Sequence, residues 1–143
     1  MKYPLYLLLI VLVGITSCNR EEKNNAPESK FVTYRPTAED VIVSEAPFEP
    51  YVPFEVGGVA RIYKNSFHHV LRFENFSIDN GPNLRVYLTT SDKNIDNNIN
   101  IGPLLAASGS FNYTFSVNTD LSVYKYVVVY SDKDKNLYCI AQL

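Results

Sequence analysis

Apolar and polar residues alternate through much of the chain beyond residue 55. Leu71 and Phe73 fall on one side of a period-two pattern whose other side carries Arg72 and Glu74, as in a strand with one face in a core and the other toward water. Leu84, Val86 and Leu88 repeat the pattern against Arg85 and Tyr87. The runs Val59 to Tyr63 and Val70 to Phe76 flank Lys64-Asn65-Ser66, which predicts a hairpin. Asp79-Asn80-Gly81-Pro82 is the strongest turn signal in the chain, because Asn-Gly tolerates positive φ and Pro82 stops a helix. A polar stretch follows and reads as a loop. Leu104 to Ala107 and Phe111 to Phe115 then flank Ser108-Gly109-Ser110, which reads as a further turn. Tyr126 to Tyr130 is apolar throughout, the pattern of a central strand covered on both faces. Asp132 to Asn136 turns the chain into a last strand, Leu137 to Ala141. Short strands separated by turns, with no helical run of useful length, predict an all-β domain over 55–143, an antiparallel β-sandwich of about seven to nine strands. Leu71, Phe73, Leu84, Val86 and Leu88 are its expected core.

The first half is organised differently. Lys2 precedes an apolar run from Leu5 to Val13, too short to span a bilayer, which gives way to Gly14, Thr16 and Ser17. Ile15-Thr16-Ser17-Cys18 resembles the bacterial lipoprotein lipobox. The resemblance implies that residues 1–17 are a signal peptide and that Cys18 becomes an acylated N-terminus. The mature protein would then be lipid-anchored in the bacterial cell envelope, on the periplasmic face or the cell surface. Residues 18–30 are expected to be a flexible tether, since Asn19 to Asn25 contains no apolar residue. Residues 31–54 are expected to be an extended, Pro-rich segment packed on the domain. Val41-Ile42-Val43 could form a short strand there, and Pro47, Pro50 and Pro53 surround aromatic residues that need cover.

Composition narrows the classes. Of 143 residues, eleven are Tyr and eight Phe against one Met and no Trp, which suits pleated, half-buried surfaces. The net charge of -2, with both signs interspersed, supplies no basic footprint for nucleic acid. The two cysteines are Cys18 and Cys139. With Cys18 acylated, Cys139 has no intrachain partner and is a candidate free thiol.

Several segments together resemble one family, the DM-thirteen domain. They are Gly57-Gly58-Val59-Ala60, Val70-Leu71-Arg72-Phe73-Glu74-Asn75-Phe76, Gly81-Pro82-Asn83-Leu84-Arg85-Val86-Tyr87-Leu88, Gly102-Pro103-Leu104, Gly109 with Tyr113, Tyr124 through Tyr130, and the closing Ala141-Gln142-Leu143. The resemblance covers 55–143. It implies a β-sandwich proposed to act in extracytoplasmic electron transfer or redox chemistry, with a redox cysteine at the end of the penultimate strand. That position is Ser131 here, and a hydroxyl cannot cycle through thiolate and disulfide states.

The other candidate chemistry is thin. Cys139 lies among Leu137, Tyr138, Ile140 and Ala141, where a cysteine acts as a small buried hydrophobe. His68 and His69 are adjacent on an expected strand and so point to opposite faces, which does not suit a shared metal. Asp92, Asn94, Asp96 and Asn98 alternate as in a calcium loop, but Asn97 and Pro103 stand where that loop needs Gly and Glu. There is no Gly-x-Ser-x-Gly elbow. No catalytic residue, metal or cofactor is predicted. Two functions remain: a non-catalytic binding module for an envelope protein or a glycan, or an accessory domain in electron transfer. Tyr87, Tyr124, Tyr126 and Tyr130 would serve binding if exposed and packing if buried.

Overall fold

In the computed structural model, which describes residues 35–38, 40–64 and 66–143, the alternating runs become nine strands in two antiparallel sheets. The expected signal peptide, Cys18, the tether over 18–30 and Asn65 of the expected hairpin lie outside the described residues. The first sheet is ordered β1 (Val41–Pro47), β3 (Val56–Lys64), β4 (His68–Ile78), β7 (Ser108–Ser116). The second is ordered β2 (Glu49–Pro50), β9 (Asn136–Gln142), β8 (Tyr126–Ser131), β5 (Leu84–Thr89), β6 (Asn98–Pro103). The two inner faces share one core, in which Ile62, Leu71 and Phe73 of the first sheet meet Val86, Leu88, Val127 and Val129 of the second. Leu71, Phe73, Val86 and Leu88 are buried, and Leu84 packs against them half-exposed.

Two bulges set which residues enter that core. Phe73 pairs with Phe111, but Phe76 pairs with Gly109, so β4 carries one residue more than its neighbour. Asn75 takes a φ of 48° at this point, and the parity of the strand inverts, so that Phe73 and Phe76 both face inward. Gly58 crosses the bulge with a φ of 104°, and a Cβ there would lie 2.7 Å from the Glu74 carbonyl oxygen and from the Phe76 Cα. On β9, Cys139 pairs with Val129 and Leu137 with Tyr130, which leaves Tyr138 as the extra residue. Tyr138 and Cys139 therefore both belong to the inner core although they are adjacent.

The segment before residue 55 contributes to both sheets. β1 pairs with β3 and β2 with β9, and the chain crosses between the sheets at Phe48. The Phe48 N–H donates to the Gly58 carbonyl at 3.0 Å. Its ring closes the core against Phe73 and Phe76, with centroids at 4.7 and 4.9 Å.

Two local readings are corrected. The expected polar loop contains β6, where Ile99 and Ile101 pack on the core while Asn98 is exposed. An edge strand needs only one apolar side, and asparagines on the other hide it in the sequence. Ser108-Gly109-Ser110 is no turn but the start of β7, where Gly109 lies opposite the β4 bulge. Leu104 to Ala107 is the connection before it.

The outer face of the first sheet is polar and tied together. Arg61 bridges Glu45 and Glu74, and Arg72 pairs with Glu74 at 2.8 Å and donates to Asn112 at 3.0 Å. The second sheet instead carries a small apolar cluster on its outer face. There Tyr87, Val128 and Leu137 are buried against Ile95, Tyr126, Tyr130 and Ile140, so β8 is central and covered on both faces.

Candidate functional site

Ser131 lies at one end of the second sheet, where β8 turns into β9. β8 pairs with β5 up to Leu84, opposite Ser131, and this brings the Gly81-Pro82 turn against the Asp132 to Lys135 turn. Ser131 is fully buried. Its hydroxyl donates to the Pro82 carbonyl at 2.7 Å and accepts the Asp134 N–H at 3.0 Å. The Asp132 N–H donates to the Asn83 carbonyl at 3.2 Å, and the Lys135 N–H to the Ser131 carbonyl at 2.9 Å. The serine thus fastens one turn to the other, and its short side chain can do so because both partners are backbone groups within reach of the end of β8.

Cys139 sits inside the sandwich with no measurable exposure. Burial pushes its thiol well above the ordinary range and outweighs the hydrogen bond with the Val129 backbone. A thiol held protonated in an apolar core is neither a ready nucleophile nor a ready electron donor. The ring of Tyr138, on the same bulge, stacks on Phe54 with centroids 3.7 Å apart. The tip of that ring rests over Gly81, where a Cβ would come within 2.4 Å of the Tyr138 hydroxyl.

A second polar constellation lies on the outer side of the same turn and has no motif in the sequence. Tyr87 is buried and donates to Asp132 Oδ1 at 2.7 Å. Burial, and after it the bond to the carboxylate, pushes its hydroxyl up to about 12. Arg85 Nε lies 3.6 Å from Asp132 Oδ2, close enough for an ion pair but too far for a hydrogen bond. The Arg85 guanidinium also donates to Asn100 at 3.2 Å across to β6. Only the register of β5 against β8 brings Tyr87 to Asp132, 45 residues away in sequence.

The remaining candidates separate. Tyr87 is buried and serves packing, while Tyr124, Tyr126 and Tyr130 are half-buried and keep part of each ring at the surface. His69 is buried beside Phe115, with Nδ1 3.2 Å from the Ser116 carbonyl oxygen, and His68 is half-buried. Asn94 and Asn98 are engaged within their own loop, Asn94 accepting the Asp96 N–H and Asn98 donating to the Ile95 carbonyl. Among the described residues no group of three or more His, Cys, Asp and Glu gathers to hold a metal ion.

A family model described as "Electron transfer DM13" matches residues 53–143, well over half of the chain. No curated protein and no solved structure matches it.

Proposed function

We propose, because this chain belongs to the electron transfer DM13 family, that it is an envelope lipoprotein that has kept the sandwich of that family and works by binding rather than by thiol redox chemistry. The observation that carries the reading is Ser131. At the end of the penultimate strand, where the resemblance implies a redox cysteine, a fully buried hydroxyl bonds two turns together. Cys139 does not replace that function, since it lies in the core with its ionisation suppressed. Ile15-Thr16-Ser17-Cys18 after a short apolar run supports acylation at Cys18. Residues 18–30 would then form a tether that concentrates the sandwich near the membrane, within reach of an envelope protein or a glycan. The reading requires no cofactor.

The family description favours a second reading, an accessory role in extracytoplasmic electron transfer. One preparation separates the two. The full chain is expressed in a bacterial host, extracted with detergent, and examined by mass spectrometry of its N-terminal peptide and by visible absorption. The binding reading expects a peptide beginning at acylated Cys18, release from membranes on Cys18→Ser, and no visible chromophore. An unmodified N-terminus overturns the anchor, and a stoichiometric visible band overturns binding in favour of electron transfer.

A further inference from the structure

Between the loop joining β5 to β6 and the turn joining β8 to β9 lies a cleft of about 350 Å³ on the outer face of the second sheet. Tyr130 and Tyr51 line it, with Lys93, Lys135, Asn94 and Asn136. Its walls are fixed from behind. Tyr130 meets the ring of Tyr87 edge-on with centroids 6.4 Å apart, and Tyr87 is held by its bond to Asp132. Ile95 anchors the loop that carries Lys93 and Asn94 by packing into the outer apolar cluster. A smaller hollow lined by Tyr51, Val52 and Phe54 adjoins the cleft and shares Asn136 and Leu137 with it.

Charge and backbone geometry both point to an anionic occupant. Neither lysine takes part in an ion pair among the described residues, and Asp96 is the one acidic residue lining the cleft, so the lining carries two ammonium groups and one carboxylate. Asp92 and Asp134, the acidic neighbours of the two lysines in sequence, do not line it. Lys135 has a φ of 57°, a left-handed conformation in which Gly or Asn is at ease and Lys is strained. A turn chosen for stability alone would place Asn or Gly there, so the strained residue presents a cation where the fold does not need one. Two rings beside amide and ammonium groups suit a ligand with an apolar face and a polar, charged edge.

We propose that this cleft binds the carboxylated sugar units of an acidic glycan, with Tyr130 and Tyr51 against the sugar ring, Lys93 and Lys135 on the carboxylate, and Asn94 and Asn136 on the hydroxyls. The assignment rests on the binding reading above and names its ligand class. Titration calorimetry on the full chain in detergent, with a galacturonic acid trisaccharide, its neutral galactose counterpart and inorganic phosphate, tests it. The acidic trisaccharide should bind at least tenfold more tightly than either control, and more weakly as salt rises. Lys135→Asn should lower the affinity by roughly five- to tenfold while raising Tm, since it removes a charge-assisted contact and relieves the left-handed residue. Tyr51→Ala, at an exposed position, should weaken binding without changing Tm. Equal binding of the acidic and neutral sugars, phosphate binding as well as the acidic sugar, no sugar binding, or unchanged affinity in both variants would overturn the assignment. None of these results alters the chromophore and acylation outcomes that decide the binding reading.

Discussion

The Ser131 hydroxyl lies 2.7 Å from the Pro82 carbonyl oxygen, across 49 residues of sequence. One side chain at the end of β8 thereby joins the turn before β5 to the turn before β9. The Ser131 hydroxyl is therefore a structural fastening between two turns.

Removing the fastening should be costly. Ser131→Ala deletes a donor and an acceptor at a buried site and leaves the Pro82 carbonyl unpaired, at a cost of about 1–3 kcal/mol. Urea unfolding of the variant should show a lower midpoint with an unchanged slope. An unchanged midpoint would mean that the hydroxyl holds nothing.

Gly81 is required by a neighbour. A Cβ would meet the Tyr138 ring at 2.4 to 2.7 Å, and that ring cannot retreat because it is buried and stacked on Phe54. Gly81→Ala should destabilise by about 1–3 kcal/mol. Most of that loss should disappear in a Tyr138→Leu background, which a double-mutant cycle measures.

How much of this could be read in the sequence differs from residue to residue. Leu71, Phe73, Val86 and Leu88 announce a buried face through period two alone, and Tyr126 to Tyr130 announces a central strand through unbroken apolarity. β6 stays hidden because asparagines take the open side of an edge strand. Gly81 is legible as part of a turn, but for the wrong reason: Asn83 adopts the left-handed backbone, with a φ of 50°, while Gly81 makes room for a ring 57 residues away. The end of the penultimate strand at Ser131 can be read from the apolar run before it, yet the partners of Ser131 cannot. Tyr87 with Asp132, and Lys93 with Lys135, are joined by strand register and loop packing, which leave no local motif.

His69 should make the fold sensitive to acid. Burial, then the neighbouring charges of Lys64 and His68, hold its pKa below the ordinary 6.5 despite the opposing bond to the Ser116 carbonyl. The folded state thus favours the neutral ring, and the resulting stability is present above about pH 6.5 and lost as pH falls through the folded-state value. Thermal unfolding should show this decline, and His69→Phe should flatten it. A decline of the same size in the variant would exclude His69 as its source.

The tyrosines act at the other end of the scale. Tyr87 titrates near 12 when folded against 10.0 for the free side chain, so its contribution is full below pH 10 and is lost as pH rises toward 12. Buried Tyr63, Tyr113 and Tyr138 shift in the same direction. Tm should fall through this window, and less so in Tyr87→Phe.

The central claim, that no thiol at the folded surface does redox work, is tested most directly at Cys139. In the Cys18→Ser chain Cys139 is the only cysteine, so the rate of its reaction with a thiol-specific disulfide reagent reports on one site. Under native conditions that rate should be slowed by the rarity of the opened sandwich to far below the free-thiol rate, and should rise to the free-thiol rate in denaturant. Stoichiometric reaction within the mixing time on the folded protein, at the rate of a free thiol, would contradict the account.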